Sequence, residues 1–156
     1  MANLINDIYF LLRGCKQMKP VTPYLSFYGN GKEAAAFYET TFGLKNNGIM
    51  KYSDSDGGFP YPPEAADYIM HCCLSDENFN IMLADSPTPG ESGATNVALM
   101  IECESEEEVN RLYNALLEGG KAVMELQDTF WGAKYAKVCD KFGYTWDLNF
   151  EKGKFE

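Results

Sequence analysis

Two side chains in this sequence are well suited to acid–base or metal chemistry. The only histidine, His71, lies in YIMHCCL, and Asp147 lies in TWDLNF. An imidazole takes up and releases a proton near neutral pH, while a carboxylate acts as an acid, a base or a metal ligand. We therefore treat both as candidate catalytic residues. A histidine held by a carbonyl or a neighbouring carboxylate would serve only the structure, and the sequence leaves both interpretations open.

A second group of candidate residues combines an indole with three polar side chains at a turn. These residues occupy positions 127–131, with the sequence QDTFW. At the rim of a pocket, Gln127 and Thr129 can orient a planar ligand that stacks on Trp131. The same segment also suits a structural role, in which Asp128 and Thr129 cap the turn and Trp131 fills an interface.

An internal repeat predicts the elements that must position these residues. The segments EAAAFYETTFG at 33–43 and EEVNRLYNALLEGG at 107–120 share a Glu-x4-Tyr spacing and a following glycine. Each follows a short β-type run, at 23–28 and 96–102. Three strand candidates then follow each helix, at 49–53, 68–75 and 79–85 in the first half and at 122–126, 134–139 and 144–150 in the second. Each half is therefore predicted to fold as βαβββ.

The helix of the second half has clear start and stop signals. Ser105 and Glu108 have the spacing of a capping box, which satisfies free amide donors in the first turn. Gly119 and Gly120 are expected to end the helix in a left-handed conformation. Apolar residues recur between these signals at steps of three and four, namely Val109, Leu112, Tyr113, Leu116 and Leu117. This apolar stripe must pack against a sheet.

We predict an α+β fold in which two modules form an open curved sheet with a central cleft and helices on the outer face. Residues 18–85 form the first module, 86–94 a linker and 95–156 the second module, all within one structural domain. Residues 1–17 form an N-terminal extension whose apolar residues have helical spacing. The segment 53–66, rich in Gly, Pro and Asp, is expected to be a mobile loop that can cover the cleft.

The composition argues against nucleic-acid and membrane partners. The 156 residues include 23 acidic and 13 basic side chains, which gives a net charge of −10. Such a chain repels phosphate backbones and anionic membrane surfaces. No apolar run approaches the ~20 residues of a membrane span, and the first residues lack the basic region of a signal peptide. Five cysteines, an odd number, suit reduced thiols, so we expect a cytoplasmic protein.

Strand alternation predicts which side chains line the cleft. Asp147 is expected to point inward, because its neighbours Trp146 and Leu148 suit the helix side. In the strand at 96–102, the odd-numbered apolar residues are expected to pack under the helices. His71 is assigned to the cleft because the alternate residues on its strand are more apolar. The predicted ligand-binding residues are Asn96, Met100, Glu102, Gln127, Thr129, Trp131 and Asn149.

Three segments within residues 18–150 carry a recognisable pattern: VTPYLSFYGNGKEAAAFYETTFG, YIMHCCL and LQDTFWGAKYAKVCDKFGYTWDLNF. Together they resemble the PhnB-like branch of the vicinal oxygen chelate superfamily. The resemblance implies paired βαβββ modules in an open barrel, a homodimer, and a pocket inside the concave sheet. Relatives include glyoxalases, dioxygenases and bleomycin-sequestering proteins, so the fold alone leaves the function open.

The resemblance also implies a divalent metal, held by side chains from the first and last strands of each module. The matching positions here are Pro23, Met82, Ala98 and Asp147. Only Asp147 offers a ligand suited to such a metal, whereas a catalytic site needs about three protein ligands. We therefore predict no inherited metal site and no cofactor. A rebuilt site, in which Asp147 recruits His71 and a cysteine around a divalent metal, remains the alternative.

Two functions are compatible with this pattern. The first is a protein that binds a small apolar or planar molecule in the cleft, without the usual metal site. The alternative is a metal-dependent enzyme of the glyoxalase or dioxygenase type that uses Asp147 and His71. Some relatives carry a ubiquinone-pathway methyltransferase label, but this sequence has no glycine-rich nucleotide loop to bind a methyl donor. Whether the protein catalyses a reaction therefore stays open.

Overall fold

In the computed structural model, which describes residues 21–90 and 96–152, each half of the chain contributes four strands and one helix. The first half contains β1 (Tyr24–Phe27), α1 (Gly31–Phe42), β2 (Lys45–Lys51), β3 (Ile69–Ser75) and β4 (Asn80–Asp85). The second half contains β5 (Ala98–Glu102), α2 (Glu106–Leu117), β6 (Lys121–Asp128), β7 (Ala133–Cys139) and β8 (Thr145–Glu151). Both halves therefore have the predicted βαβββ order.

The strands form two separate four-stranded sheets with the same internal order. Sheet A runs β1-β4-β3-β2, and sheet B runs β5-β8-β7-β6. The pairs β1/β4 and β5/β8 are parallel, and the other neighbouring strands are antiparallel. The predicted α+β fold of two modules with open sheets is confirmed.

The helices begin and end where the sequence indicates. The Ser105 hydroxyl accepts a hydrogen bond from the amide of Glu108 at 3.1 Å, as expected of an N-cap. The Glu108 carboxylate accepts from the amide of Glu104 at 2.9 Å, one residue before the cap, so only half of the predicted capping box forms. Gly43 and Gly119, at the helix ends, have φ values of 70° and 74°, which favour glycine. Neither helix is long and apolar enough to cross a membrane.

A single hydrophobic core joins the two modules. Tyr38 and Phe42 of α1 contact Trp146 of β8, with ring centroids 5.6 Å and 4.7 Å apart. Phe27 of β1 contacts Phe142 in the β7–β8 turn at 5.7 Å. Burial of each such side chain contributes ~1.5–3 kcal/mol, and because the contacts cross between modules, this burial holds the two together.

The other side of each sheet, here called its open face, points away from the core. The open face of sheet A carries Tyr24 and His71, and that of sheet B carries Met100 and Asp147. Because the helix-facing sides of both sheets share one core, the two open faces look in different directions. Each open face is therefore an exposed sheet surface, and the two do not enclose a central cleft within one chain.

β2 differs from its prediction, because it begins at Lys45 rather than at residue 49. The sequence Asn46-Asn47-Gly48 is typical of a turn, but a bulge accommodates it within the strand. The pairing register shifts between Asn46 and Ile49, and Gly48 has a φ of 118°. The Asn47 amide also donates to the Ser75 hydroxyl at 2.7 Å. This side-chain bond holds the Asn46-Asn47-Gly48 segment against β3.

One further expectation differs from the structure. Val97, expected under the helices, lies just before β5, and 65% of its surface is exposed. The two ends of the segment 53–66 are joined by a hydrogen bond, in which the Ser53 amide donates to the Ala66 carbonyl at 3.0 Å, and the mobility of this loop stays a prediction. The N-terminal extension and part of the predicted linker lie outside the described residues, so the module boundaries stay predictions.

Candidate functional site

Asp147 lies on the open face of sheet B within a small polar network. Tyr135 donates its hydroxyl to Asp147 Oδ1 at 2.8 Å, and Lys137 Nζ lies 3.3 Å from the same oxygen. The β7–β8 register explains this arrangement, because Lys137 pairs with Asp147 and Tyr135 with Asn149. Both contacts use Oδ1. The other carboxylate oxygen, Oδ2, has no partner among residues 21–90 and 96–152 and is available to a ligand.

Tyr135 acts as a neutral hydrogen-bond donor in this network. Burial, followed by the hydrogen bond to Asp147 and its negative charge, raises the pKa of Tyr135 to about 12. The phenol therefore keeps its proton at neutral pH and continues to donate to Asp147. The result is a carboxylate with a fixed orientation on an open sheet face.

An aromatic rim adjoins the polar network. Trp131 lies in the β6–β7 turn with 52% of its surface exposed, and its ring contacts Tyr135 with centroids 5.9 Å apart. Phe130 packs edge-on against Trp131 at 4.9 Å. Trp131, Tyr135 and Asp147 thus form a continuous line from the rim towards the middle of sheet B. Two residues that the sequence singled out, Trp131 and Asp147, are joined through Tyr135.

Four other predicted residues lie on the same face or at its edge. Asn149 donates its amide to Glu102 at 2.7 Å, and Met100 pairs with Asp147 across the β5–β8 ladder. Asn96 lies before β5 and lines a shallow cavity of about 270 Å³, whose other walls are Val97, Ala98, Val123, Lys137 and Thr145. The structure brings these residues together with Asp147. Their role in ligand binding stays a prediction.

Gln127 and Thr129 lie at the end of sheet B that carries the rim. Gln127 is exposed and pairs with Tyr135. The Thr129 hydroxyl donates to the Ala133 carbonyl at 2.9 Å and accepts from the Ala133 amide at 3.1 Å. Thr129 therefore closes the turn that presents Trp131, in line with the structural alternative. Any direct contact between these two residues and a ligand stays a prediction.

His71 lies on the open face of sheet A, on an apolar and sulfur-rich surface. Its ring centroid is 6.3 Å from that of Tyr24. Met50 pairs with His71 from β2, and Met82 pairs with Cys73 from β4. Methionine side chains adapt their shape readily, so this surface suits an apolar partner of variable outline.

The structure does not bring His71 and Asp147 together within one chain. They lie on the open faces of different sheets, and in the described ranges no hydrogen bond or ion pair links them. A concavity of about 740 Å³ lies away from both residues. It is a shallow depression lined by turn residues such as Tyr28, Gly119, Gly120 and Gly143, and it contains none of the predicted site residues.

Comparison with known proteins identifies the family of this chain. The family model described as 3-demethylubiquinone-9 3-methyltransferase matches residues 19–149. Protein YjdN of Escherichia coli strain K12 is 33% identical over 144 residues, which cover 85% of this chain and 96% of YjdN. The chain belongs to this PhnB-like family of the vicinal oxygen chelate superfamily.

Solved structures agree with this assignment of the PhnB-like protein. Protein PA1353 from Pseudomonas aeruginosa is 33% identical and superposes with a TM-score of 0.74, covering 86% of this chain and 98% of PA1353. A PhnB protein from Bacillus cereus, titled a putative 3-demethylubiquinone-9 3-methyltransferase, superposes with a TM-score of 0.71 at 24% identity. That match covers 85% of this chain and 99% of the other, and it shows the shared fold. The resemblance seen in the sequence is confirmed.

The divalent metal that the vicinal oxygen chelate fold implies does not fit the residues of this PhnB-like protein. Of the four expected positions, Pro23 and Ala98 offer no ligand atom, and Met82 offers only a thioether. The remaining Asp147 already contacts a tyrosine and a lysine through Oδ1. In the described parts of the chain, no three His, Cys, Asp or Glu side chains lie close enough to hold a metal ion. The described residues of one chain therefore lack the protein ligands that usually hold a divalent metal in this fold.

Sequence analysis missed Tyr135 and Lys137, the two residues that orient Asp147 in this PhnB-like protein. The available signal was the turn 140–144, which fixes the β7–β8 register. In that register Lys137 lies opposite Asp147, and Tyr135, two residues away, shares its face. Pairing β7 with β8 outward from this turn would therefore have indicated both Tyr135 and Lys137 from the sequence.

Proposed function

We propose that this PhnB-like protein binds an apolar or planar small molecule in a cleft formed between two copies of the chain. In this homodimer, the open face of sheet A in one copy lies opposite the open face of sheet B in the other. Two equivalent clefts result, because a two-fold axis repeats every contact. The proposal assigns binding rather than catalysis to the cleft, and it requires no divalent metal.

Exposed apolar side chains on both open faces carry this proposal. Tyr24 and Met50 on sheet A, and Met100 and Val123 on sheet B, have 47–57% of their surfaces exposed. In a chain with a net charge of −10, apolar groups gathered on two sheet faces indicate surfaces that a ligand or partner covers. The same faces carry most of the predicted site residues.

The size of the cavity supports a second copy. The cavity on the open face of sheet B measures about 270 Å³ and is bounded only by sheet B and the residues just before β5. Sites for drug-sized ligands usually enclose ~300–1,000 Å³ and bury most of the ligand surface. A second sheet is needed to enclose a molecule of that size, and sheet A of another copy offers an apolar surface of matching character.

The side chains on the two faces define the ligand class. Trp131 and Tyr135 provide aromatic surfaces for stacking, and Met82 and Met100 provide adaptable apolar contacts. The available Oδ2 of Asp147 favours a ligand that places a hydrogen-bond donor beside its apolar or planar part. This combination argues against a highly charged anionic ligand.

A rebuilt enzyme site is the second candidate function. In the proposed dimer, His71 of one copy faces the sheet that carries Asp147 of the other copy, so an acid–base or metal site can form only between copies. The oriented carboxylate of Asp147 favours this candidate. Inductively coupled plasma mass spectrometry of natively purified protein distinguishes the two functions. Stoichiometric metal that is lost in both His71→Ala and Asp147→Ala would favour the enzyme, whereas binding without metal would favour the first proposal.

The arrangement of the cysteines supports a cytoplasmic location. Cys72, Cys73, Cys103 and Cys139 form no disulfide within the described part of the chain. Such thiols persist in a reducing compartment, whereas proteins of oxidising compartments commonly pair them. We therefore propose that the protein acts in the cytoplasm.

A fluorescence titration with Nile red, a neutral planar dye, tests the binding proposal. The chain has two tryptophans, the fully buried Trp146 and the exposed Trp131, so dye in the cleft should quench the Trp131 emission. We expect Val123→Asp to weaken dye binding by about ten-fold, because a carboxylate in an apolar wall must be desolvated. The control Ala36→Asp adds the same charge at an exposed residue of α1, away from both open faces, and should leave binding unchanged. Equal affinities for wild type and Val123→Asp would contradict the proposal.

A further inference from the structure

A second concavity, here called the acidic groove, lies where the β3–β4 turn approaches β5 and the start of α2. It encloses about 510 Å³. Its apolar lining is formed by Phe42, Phe79, Met100, Ile101 and Leu112, and its acidic side chains are Asp76, Glu102, Glu104 and Glu108. An apolar floor with a carboxylate rim suits an amphipathic segment that carries positive charge.

The negative charge of the acidic groove is not neutralised by the described residues that line it. The single basic lining residue is Arg111, which donates to the Thr41 carbonyl at 2.8 Å. Arg111 approaches Glu108 only to 4.0 Å. The carboxylate of Glu104 has no ion-pair partner within residues 21–90 and 96–152. The groove therefore presents charge that a cationic segment can complement.

The sequence of residues 1–20 has the composition that the acidic groove requires. Its apolar residues Leu4, Ile8, Leu11 and Leu12 have the spacing of one helical face. Three basic residues follow or adjoin this stripe, Arg13, Lys16 and Lys19, against a single acidic residue, Asp7. A basic amphipathic segment thus precedes a strongly acidic body.

The described chain begins next to the acidic groove. The Pro23 carbonyl accepts from the amide of Met82 at 2.9 Å, and Met82 lies three residues after Phe79 of the groove floor. Val21, which precedes β1, is 86% exposed. The seven residues 14–20 can span at most ~23–25 Å when extended, which is long enough for the apolar stripe upstream of them to reach the groove.

We propose that residues 1–20 dock into the acidic groove of their own chain. The stripe of Leu4, Ile8, Leu11 and Leu12 covers the apolar floor, and the basic side chains lie against the carboxylate rim. The charge match sets the orientation, with the basic end of the segment beside Glu104 and Glu108. Met100 and Glu102 border both the acidic groove and the open face of sheet B, but the docking requires neither the proposed ligand nor the dimer.

Zero-length cross-linking of the full chain tests the docking. A water-soluble carbodiimide joins a lysine amine to a carboxylate with loss of water, and peptide mass spectrometry locates each new amide. We expect cross-links from Lys16 or Lys19 to Glu104 or Glu108. An equal mixture of ¹⁴N- and ¹⁵N-labelled chains separates contacts within one chain from contacts between chains. The pair Lys51 and Asp67, 2.8 Å apart, is the positive control for the reaction.

A matched pair of variants tests the apolar half of the docking. Ile8→Asp places a carboxylate in the apolar stripe, and we expect it to lower the cross-link yield at least five-fold. Asn6→Asp adds the same charge outside the stripe and should preserve the yield. Three results would overturn the proposal. They are absence of the groove cross-links while Lys51 and Asp67 still react, groove cross-links of which about half join a light to a heavy chain, and equal yields for both variants. None of these results bears on ligand binding by the open faces.

Discussion

At the scale of single residues, Asp147 takes its position from two neighbours on β7. Tyr135 donates to its Oδ1 at 2.8 Å, and Lys137 lies 3.3 Å away. Burial, followed by this hydrogen bond and the charge of Asp147, favours the neutral phenol, so the pKa of Tyr135 lies at about 12 rather than near 10. Because the folded-state pKa is raised, the stability linked to the protonated phenol is complete below pH ~10 and is lost as the pH rises through about 12.

Replacing the carboxylate should shift the ionisation of Tyr135. We expect Asp147→Asn to lower the pKa of Tyr135 from about 12, because the negative charge and the carboxylate acceptor are removed. The pKa should remain above its ordinary value, since burial is its largest cause and persists in the variant. Absorbance of tyrosinate at 295 nm, measured against a Tyr135→Phe counterpart of each protein, isolates this one phenol among ten tyrosines.

The matched control for this titration is Asp128→Asn. Asp128 is an exposed carboxylate on the same sheet, and it pairs with Lys152 instead of Tyr135. Its replacement should leave the Tyr135 midpoint unchanged. An unchanged midpoint in Asp147→Asn would show that the network around Asp147 does not form as described.

At the scale of elements, the buried Asp140 fastens α1 of the first module to the β7–β8 hairpin of the second. Its Oδ2 accepts from the hydroxyl of Tyr38 at 2.7 Å and from Trp146 Nε1 at 2.8 Å. Its Oδ1 accepts from the amides of Phe142 and Tyr144 at 2.9 Å and 3.0 Å. Burial and the neighbouring carboxylate raise the pKa of Tyr38, so the phenol stays protonated and donates.

Asp140→Asn should destabilise the fold strongly. An amide has one acceptor atom in place of two, so either two buried side-chain donors or two turn amides lose their partner. Each unsatisfied buried group costs ~1–3 kcal/mol, and we expect a total loss of about 3 kcal/mol. For a chain of this size the melting temperature should fall by ~6–12 °C, measurable by calorimetry.

Asp76→Asn is the control for this substitution. Asp76 also accepts two backbone amides in a turn, those of Asn78 and Phe79, but it is exposed to water. Because water can replace a lost bond there, we expect a change below ~1 kcal/mol. A melting temperature in Asp140→Asn no lower than in Asp76→Asn would contradict the link between modules.

The repeat and the helix signals made most of the elements predictable from sequence. Ser105 and Gly119 mark the ends of α2, and alternation placed Trp146 and Leu148 in the core. β2 was harder, because its start depends on Asn47 bonding to Ser75, a contact between distant residues. Strand alternation also gave the wrong position for Val97. This residue lies before β5, so the alternation of side chains along a strand does not apply to it.

The candidate site was predictable only in part. Asp147 and Trp131 stood out by residue type, but the tyrosine between them depends on the register of a hairpin. The sequence predicted that His71 and Asp147 share one cleft. The repeat indicates the elements of each module, but it does not indicate which faces of the two sheets pack against each other. That choice depends on packing across the modules, as in the contact of Tyr38 with Trp146.

At the scale of the whole molecule, the two open faces leave apolar surface exposed in a chain with a net charge of −10. Tyr24 on one face and Met100 on the other are each about half exposed, at 51% and 53%. In the dimer that we propose, pairing sheet A of one copy with sheet B of another would cover both faces at once. The same pairing would complete the cleft around Asp147.

Met100→Glu should weaken association of the two copies. The new carboxylate lies beside Asp147 and Glu102 on the covered face, so it is both desolvated and repelled. We expect the dimer dissociation constant to rise by at least ten-fold in sedimentation velocity measurements. Ala36→Glu adds the same charge at an exposed residue of α1, outside the open faces, and should associate like the wild type. A monomeric wild type at micromolar concentration would contradict the dimer.

Native mass spectrometry of freshly purified, full-length protein tests the central claim most directly, because one spectrum reports association, retained ligand and metal together. The account predicts a species of two 17.5-kDa chains that carries up to two copies of a small organic molecule and no stoichiometric metal. Release of that molecule in Met100→Glu would place it in the shared cleft. A bare monomer, or a dimer that holds one divalent ion in each cleft, would contradict the account.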